Sequence, residues 1–319
     1  MEQIKHYRPT KAVINLNAIK NNVENLKTHL SDGVEIIAVV KANAYGHGDI
    51  EVAKTAIEAG ATMLAVATPD EAVHIRRNIP GIGILVLGAS PPSFAHYAAE
   101  HNISLTVFSK QWVDEVEPIQ HQLKLHIKID SGMGRIGISA VSELVLLKES
   151  LDMRKDFYIE GIFTHFATAD EEDAAYFESQ TVKFEMMLDA LGSFPKMVHV
   201  ANTATALIKD AKYQYNAVRF GISMYGLSPS SYVAELLPFA IEPAMTLETE
   251  LIHVKEIQAG DAVGYGATFI AKERAFIGTL PIGYADGMIR KLSGQEVLVA
   301  GKRVPIIGRI CMDQCMVLL

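Results

Sequence analysis

Residues 36–48 read IIAVVKANAYGHG, an apolar run that ends on a lysine and continues into a loop with two glycines. The run is rich in β-branched residues, which is typical of a strand buried on both faces of a parallel sheet. Residues 49–59 follow with apolar side chains three and four positions apart, the spacing of an amphipathic helix. Residues 36–59 therefore predict one strand–helix unit of a parallel α/β fold.

The same unit recurs along the chain as far as about residue 227. Seven more apolar runs follow the first, at residues 63–67, 84–87, 104–108, 123–129, 158–165, 197–201 and 217–220. Helix-like segments separate them, at residues 70–78, 93–100, 111–122, 142–150 and 174–191, whereas the stretch after residue 201 is too short to assign. Eight such units in about 200 residues predict an α/β fold with a closed (β/α)8 barrel of the TIM type. An open, doubly wound sheet is the alternative that this pattern leaves.

The pattern changes after Tyr232. Residues 236–243 contain two prolines and have no clear period, which is typical of a linker. Strand-like runs with glycine-rich turns follow, including a hairpin turn at 300–302; the runs are 247–257, 275–281, 295–300, 304–307 and 310–318. We therefore expect a barrel over residues 1–235 and a β-rich domain over residues 236–319. The last apolar run reaches Leu319, so we expect this β-rich domain to be truncated.

Charge and composition exclude several classes of protein. Lys and Arg number 29 against 37 Asp and Glu, which gives a net charge of −8, and no basic block could neutralise a phosphate backbone. No apolar stretch approaches the ~20 residues of a membrane span, and the first residues lack the apolar core of a secretory signal. Cys311 and Cys315 lie too far apart along a strand to pair with each other. We expect a soluble cytoplasmic protein with reduced cysteines that binds neither nucleic acid nor membrane.

Active sites of (β/α)8 barrels lie at the carboxyl ends of the strands. Lys41 ends the first run, and burial there would lower the pKa of its amine and make it a nucleophile for imine formation. A strand-end lysine that extends to solvent is the alternative. The loops after the last two strands, NTATA at 202–206 and RFGIS at 219–223, offer hydroxyls, a glycine and backbone N–H groups to a phosphate. Both a phosphorylated sugar and pyridoxal phosphate (PLP) fit a lysine that faces such loops.

Other candidate residues also follow strands or lie in glycine-rich turns. The loop SGMGRIG at 131–137 brings Arg135 to the barrel mouth, although it is a weak nucleotide signature. His165 is either a site residue or a satisfied core histidine. No histidine or cysteine has the spacing of a metal site, so we expect no catalytic metal. Tyr265 lies between two glycines, which either exposes its ring or only marks a turn.

These residues resemble the alanine racemase family, whose members are PLP enzymes built from an amino-terminal barrel and a carboxyl-terminal β-domain. The resemblance extends over essentially the whole chain. AVVKANAYGHG is similar to the family's cofactor-lysine signature, and further motifs follow in the family's order: KIDSGMGRIG, THFATADE, RFGISMYG, VGYGATF, PIGYADG and GRICMDQCMV. The resemblance implies alanine racemase activity, an isomerase reaction that supplies D-alanine for bacterial peptidoglycan.

The resemblance also implies how PLP is bound. Lys41 would hold the cofactor covalently, and Arg219 would face its pyridine nitrogen. The residues that match the family's other cofactor contacts, mostly to the phosphate, are Tyr45, Asn202, Thr203, Gly221 and Ile222. Because arginine stays charged and cannot accept a proton, the ring nitrogen would remain unprotonated. That arrangement should limit side reactions such as transamination.

Racemisation needs a base on each face of the substrate. By resemblance, Lys41 serves D-alanine and Tyr265 serves L-alanine, and a hydrogen-bond chain from Tyr265 through His165 to Arg219 favours the phenolate. In the family this tyrosine reaches into the barrel of the other subunit. A homodimer with shared active sites is therefore implied.

Substrate contacts are implied in the same way. Arg135 and the backbone of Met312 would hold the carboxylate, and Lys128, often carbamylated in the family, would orient Arg135. The residues that match the family's substrate entrance are Asp170, Tyr284, Arg290, Arg309 and Asp313. The family's chain continues past the last motif and supplies a further tyrosine near the cofactor phosphate, for which this sequence has no counterpart.

Two other functions are alternatives to this one. A related barrel-type PLP enzyme could be a broad-specificity amino-acid racemase or a decarboxylase, although a decarboxylase would place a carboxylate where Arg219 lies. A non-catalytic PLP carrier would consist of the barrel alone, which does not fit an appended β-rich domain that carries Tyr265.

Overall fold

The computed structural model describes residues 7–319, which form two compact units. One unit comprises residues 15–244, and the other combines residues 7–14 with residues 245–319. The sequence predicts a single boundary between residues 235 and 236 instead. The observed division differs because strand β1 (Lys11–Ile14) pairs antiparallel with β10 (Met245–Glu248), which follows about 230 residues later.

Eight parallel strands form the sheet of the first unit: β2 (Glu35–Val39), β3 (Met63–Val66), β4 (Gly83–Val86), β5 (Ile103–Val107), β6 (Leu123–Lys128), β7 (Phe157–Phe163), β8 (Met197–His199) and β9 (Ala217–Phe220). Their order is β8-β7-β6-β5-β4-β3-β2-β9. The two ends of this sheet meet, because the N–H of Arg219 donates to the carbonyl of Ala201 at 3.0 Å and the N–H of Val198 donates to the side chain of Asn216 at 2.7 Å. The predicted TIM-type barrel is confirmed.

Helices pack on the outside of this sheet. They are α1 (Leu16–His29), α2 (Asp49–Glu58), α3 (Pro69–Asn78), α4 (Ala95–Glu100), α5 (Lys110–Glu115), α6 (Val141–Asp152), α7 (Ala175–Leu191), α8 (Thr203–Ile208) and α9 (Ser231–Glu235). Helix α5 is shorter than the predicted helix at 111–122, because Pro118 lacks the N–H that a helix interior needs. Within residues 7–319, none of the helices is both long and apolar enough to span a membrane.

The interior of the barrel has an apolar half and a polar half. Side chains alternate between the two faces of a strand, and one inward-facing cluster is apolar: Ile37, Val39, Met63, Ala65, Leu85, Met197 and Ala217. Buried polar side chains occupy inward positions on β5 to β9: Ser104, Thr106, His126, Lys128, Glu160, His199 and Arg219. Bulky apolar residues dominate most barrel interiors, so the polar half indicates roles other than packing.

The second unit is rich in strands, as the sequence predicts. Its main sheet is antiparallel, in the order β11-β14-β17-β16-β15, and β12 pairs with β13. The strands are β11 (His253–Ile257), β12 (Ala262–Val263), β13 (Phe269–Ile270), β14 (Ala275–Leu280), β15 (Glu296–Val299), β16 (Lys302–Ile307) and β17 (Cys315–Leu318). A two-residue turn joins β15 to β16 at the predicted hairpin, where Ala300 and Gly301 have φ of 49° and 79°.

Candidate active site

A cavity of about 570 Å³ opens at the carboxyl ends of the barrel strands. Apolar side chains such as Val39, Leu87, Phe163 and Phe166 form part of its wall. Each site residue that the sequence predicts on the barrel also lines it: Lys41, Tyr45, Lys128, Arg135, His165, Asp170, Asn202, Thr203, Arg219, Gly221 and Ile222. Because polar residues from separate strand ends converge here, this cavity is the candidate active site.

A left-handed helical turn, Lys41–Tyr45, follows strand β2. The four residues after Lys41 have φ between 52° and 56°, a conformation that costs L-residues roughly 1–2 kcal/mol each. Two glycines that follow the turn close it through backbone hydrogen bonds to carbonyls of the turn. Lys41 and Tyr45, at the two ends of this turn, both line the cavity.

Glu71, in the first turn of α3, holds this left-handed turn in place. One carboxylate oxygen accepts from the N–H of Ala42 at 2.6 Å. The other accepts from the N–H groups of Ala67 and Thr68, at 2.6 and 3.2 Å, and completes the capping box of α3. A single carboxylate therefore fastens the start of the left-handed turn to the neighbouring strand end.

The surroundings of Lys41 favour its neutral amine. The side chain is half-buried, and desolvation lowers its pKa. The guanidinium of Arg135 lowers the pKa further, while the carboxylate of Glu71 opposes both effects. A deprotonated lysine is both a nucleophile and a base, so Lys41 can act in either way.

A small polar cradle lies beside Tyr45. Asn202 caps α8 by accepting from the N–H of Thr205 at 3.0 Å, and the N–H of Gly221 donates to the Thr203 hydroxyl at 3.0 Å. A Cβ atom at Gly221 would lie only 3.1 Å from Oη of Tyr45, so glycine keeps the space between these groups open. Hydroxyls and backbone N–H groups around an open glycine fit a phosphate.

Arg219 lines the cavity although only 4% of it is exposed. Its Nη1 donates to the carbonyl of His199 and, at 2.9 Å, to Nδ1 of the same residue. Its Nη2 donates to the carbonyls of Thr164 and Val200, at 2.7 and 3.0 Å, and to Nδ1 of His165 at 3.3 Å. Burial, together with a nearby guanidinium, lowers the pKa of Arg219 to about 9. The group is therefore fixed in position and still charged at neutral pH.

Two bases beside Arg219 have strongly lowered pKa values. Desolvation and the cations Arg219 and Lys128 lower the pKa of His165 to about 2. Since Nδ1 of His165 accepts from Arg219, its hydrogen lies on Nε2. Lys128 is 2% exposed, and desolvation together with Arg219 and Arg135 lowers its pKa to about 7. Its Nζ donates to the carbonyl of Ile129 at 3.0 Å.

The remaining predicted site residues belong to the second unit. Tyr265 is 70% exposed on the turn Tyr265–Ala267, between Gly264 and Gly266, whose φ angles are 77° and 73°. Cβ atoms on these glycines would lie 3.2 and 3.3 Å from atoms of Arg309. Arg309 therefore packs against the turn that presents Tyr265.

Tyr284 lies on an adjoining turn of the same unit. The N–H of Tyr284 donates to the carbonyl of Cys311, and that of Ala285 to the carbonyl of Met312, both at 3.0 Å. The guanidinium of Arg290 lies 4.4 Å from the centre of the Tyr284 ring. Turns and loops of the second unit thus carry all the residues predicted there: Tyr265, Tyr284, Arg290, Arg309, Met312 and Asp313.

Several residues that support this site are not among the candidates that the sequence predicts. His126, Glu160 and His199 lie on barrel strands and connect to Arg219, as described below. Their signal is a polar residue inside an otherwise apolar strand run. Glu71 is another such residue, and its signal is the segment Thr68-Pro-Asp-Glu71, which has the spacing of a capping box.

Comparison with known proteins assigns both parts of the chain to one family. Residues 14–229 match the family model "Alanine racemase, N-terminal domain", and residues 244–319 match "Alanine racemase, C-terminal domain". Alanine racemase of Geobacillus kaustophilus (strain HTA426) is 49% identical over 314 residues, which cover 98% of this chain and 82% of the relative.

Solved structures give the same result. The crystal structure of alanine racemase from Bacillus anthracis with bound L-Ala-P has a TM-score of 0.94 and 49% identity, over 99% of this chain and 83% of that chain. The crystal structure of alanine racemase from E. faecalis has a TM-score of 0.94 and 43% identity, over 98% of this chain and 85% of that chain.

Proposed function

The chain belongs to the alanine racemase family, and from that membership we propose how its residues carry out the reaction. The protein is a PLP-dependent alanine racemase, an isomerase that interconverts L- and D-alanine. In the family this reaction supplies D-alanine for peptidoglycan. The observation that carries the residue assignments is the convergence of Lys41, Tyr45, Arg219 and Gly221 on one cavity.

The cavity suits PLP. Lys41 would hold the cofactor covalently through its amine, and the polar cradle would hold the phosphate, with contributions from Tyr45, Asn202, Thr203, Gly221 and Ile222. The open space at Gly221 supports this assignment, because a side chain there would meet the hydroxyl of Tyr45. When bound, PLP withdraws electrons from the α-carbon of the substrate and makes its hydrogen more acidic.

Arg219 would face the pyridine nitrogen of the cofactor. Its Nη atoms donate to three backbone carbonyls and two imidazoles, which hold the guanidinium in one orientation. A guanidinium donates a hydrogen bond but keeps its proton at neutral pH, so Arg219 would leave the ring nitrogen unprotonated. We infer that this restrains transamination.

Lys41 and Tyr265 would act as the two bases, one on each face of the substrate. Lys41 would remove the α-proton from D-alanine, and Tyr265 would remove it from L-alanine. The pKa of an unperturbed tyrosine is ~10, so its phenolate needs a hydrogen-bond donor. His165 can be that donor, because its Nδ1 accepts from Arg219 and its hydrogen lies on Nε2.

Arg135 and the backbone N–H of Met312 would bind the carboxylate of the substrate. Lys128 would orient Arg135 after carbamylation, in which a neutral amine adds CO2 and releases one proton. The lowered pKa of Lys128 supports this assignment, since its amine is substantially neutral near pH 7. The residues assigned to the substrate entrance are Asp170, Tyr284, Arg290, Arg309 and Asp313.

We also propose a homodimer in which the partner subunit's Tyr265 completes the site around Lys41. The exposure of Tyr265 on its turn supports this arrangement. A cytoplasmic location is proposed as well, in keeping with the free cysteines Cys311 and Cys315.

Tyr265→Phe tests the assignment of the bases. Deuterium uptake at the α-carbon of L-alanine in D₂O should fall by at least about 10²-fold, because the base on that face is lost. Deuterium uptake at the α-carbon of D-alanine should fall much less, because Lys41 remains. The matched control Tyr158→Phe should leave both rates of deuterium uptake unchanged. The Lys41→Ala variant should lose racemase activity and the visible absorbance of bound PLP. Equal losses for the two enantiomers in Tyr265→Phe would exclude the assignment.

Mixed dimers test the sharing of sites between subunits. Neither Lys41→Ala nor Tyr265→Phe should racemise alanine alone, because each lacks one base. In a dimer with one subunit of each kind, each site would lack one base if both of its bases came from the same chain. If the two bases come from different chains, one of the two sites has both an intact Lys41 and an intact Tyr265. Recovery of activity on mixing and refolding supports the proposal, and no recovery in a verified mixed dimer contradicts it.

A further inference from the structure

A row of buried side chains continues from Arg219 into the barrel. Nη1 of Arg219 lies 2.9 Å from Nδ1 of His199, and Nε2 of His199 lies 2.8 Å from Nδ1 of His126. Nε2 of His126 lies 3.2 Å from Oε2 of Glu160. All four residues are buried, and we call them the Glu160 row. The racemisation proposed above assigns no role to His126 or Glu160, and His199 enters it only as a partner of Arg219.

The two ends of the Glu160 row fix the direction of its hydrogen bonds. A guanidinium only donates, so Nδ1 of His199 must accept, and the hydrogen of His199 lies on Nε2. That hydrogen is donated to Nδ1 of His126, whose own hydrogen on Nε2 is donated to the carboxylate of Glu160. Both imidazoles are neutral in this arrangement, and burial lowers the pKa of each.

Glu160 supplies a negative charge at the inner end of the row. Burial opposes this charge, but hydrogen bonds from His126 and Ser104 outweigh it and lower the pKa of Glu160 to about 2. Oγ of Ser104 donates to Oε2 at 2.6 Å, and Nζ of Lys124 lies 3.5 Å from Oε1.

The direct partners of Arg219 are all uncharged. They are backbone carbonyls and the imidazoles of His165 and His199. Within residues 7–319, no carboxylate accepts a hydrogen bond from Arg219, and Glu160 is the carboxylate to which it is connected through the row.

Packing alone does not account for the Glu160 row. Burying an ionised group is energetically costly, and apolar side chains of similar volume are often no less stabilising. The other half of the same barrel interior is in fact apolar. The polar half therefore points to a function at the end of the row that reaches the cavity, which is Arg219.

We propose that Glu160 is a positioning residue for racemisation, which acts through His126 and His199 to keep Arg219 protonated and fixed at the cofactor's ring nitrogen. The proposal rests on the role of Arg219 given above. The neighbouring guanidinium of Arg135 opposes the protonation of Arg219, as does burial, and the imidazoles that face it are neutral. Lys124 is the cation beside Glu160.

The first measurement is nitrogen-15 NMR of the PLP-loaded enzyme with labelled histidine rings. Replacing His126 or His199 by glutamine assigns their resonances. Both rings should be neutral, with hydrogen on Nε2, between about pH 6 and 9. Hydrogen on Nδ1, or a protonated ring, at either position would overturn the proposal without any change to Glu160.

The second measurement uses PLP labelled at the pyridine nitrogen. Glu160→Gln keeps an acceptor for His126 but removes the charge, so Arg219 should lose its proton at a lower pH. The pyridine resonance should therefore begin to change at a pH about one unit below that of the wild type. Ser104→Ala is the matched control, because it removes a hydrogen bond to the same carboxylate and leaves the charge in place. A Glu160→Gln titration that coincides with the wild-type titration contradicts the proposal.

Arg219→Lys distinguishes a failure of this proposal from a failure of the proposed function. If Arg219→Lys leaves the pyridine resonance unchanged, the contact between Arg219 and the ring nitrogen is wrong, and the role of Glu160 fails with it. If Arg219→Lys alters the resonance but Glu160→Gln does not, only the role of Glu160 is wrong.

Discussion

Lys128 shows how burial changes the acid–base behaviour of a single side chain. Its amine has one backbone carbonyl as a hydrogen-bond partner and two guanidinium groups nearby, and its pKa falls from 10.5 to about 7. Between these values the unfolded chain binds a proton that the folded protein does not bind. The contribution of Lys128 to the free energy of unfolding therefore rises with pH over this interval.

Lys128→Met removes this titration. Relative to the wild type, the variant should gain stability as the pH falls below 10.5, because the wild type must then keep a buried amine neutral or charge it, and the difference should stop changing above about pH 10.5. Between pH 6 and pH 9 the difference in free energy of unfolding should change by about 2–3 kcal/mol. Urea unfolding in CO2-free buffer measures it, since carbamylation would alter the charge. A difference that is constant between these pH values would show that the pKa is not lowered.

At the scale of elements, the left-handed turn Lys41–Tyr45 is the strained part of the site. Four consecutive L-residues adopt a conformation that is ordinarily rare, and Glu71 and the neighbouring backbone hydrogen bonds hold them there. Glycine has no Cβ penalty at positive φ. A glycine in this turn should therefore relieve strain, whereas a glycine in a right-handed helix would destabilise the folded protein.

Ala42→Gly tests the strain, since Ala42 is exposed and has φ of 53°. The free energy of unfolding should stay the same or rise by up to about 1 kcal/mol, because relief of strain offsets the greater freedom of glycine in the unfolded chain. The control Ala190→Gly, in helix α7, should lose about 0.5–1 kcal/mol. Denaturant unfolding of both variants gives the comparison, and equal losses would argue against strain in the turn.

The barrel strands could be predicted from the sequence because each is a short apolar run, and the residues that follow them are the polar residues of the site. The left-handed turn could not be predicted, because only Asn43 among its four strained residues favours positive φ. Likewise, β1 is too short and exposed to indicate a partner about 230 residues away. Glu160 illustrates a third difficulty, since its position in a strand does not reveal which neighbours it meets across the barrel.

For the molecule as a whole, helix α1 completes the outer layer of the barrel from the amino-terminal side. It packs against α2 and against the 3₁₀ turn Ile222–Tyr225, which follows β9, the last strand of the barrel. Asn22 on α1 is fully buried, and its Nδ2 donates to the carbonyls of Met224 and Glu242 at 3.1 and 2.9 Å. Its Oδ1 accepts from the N–H of Glu242 at 2.8 Å. This side chain joins the beginning of the barrel unit to its end.

Asn22→Leu should lower the free energy of unfolding by about 3 kcal/mol, because it leaves three backbone groups without their partner. The adjacent Asn21 provides a control, since its amide donates to the side chain of Glu242 in a solvent-exposed hydrogen bond. Asn21→Leu should cost less than about 1 kcal/mol. Urea unfolding followed by circular dichroism measures both variants, and similar losses would mean that Asn22 does not hold the barrel together.

Strand β1 emerges from the ribosome long before its partner β10. About 230 residues lie between them, a delay on the order of 10–50 seconds at roughly 5–20 residues per second. The whole barrel unit is synthesised in that time and can fold, while the hydrogen-bonding edge of β1 has no partner in the nascent chain. The second unit can therefore form only after the barrel unit has been synthesised.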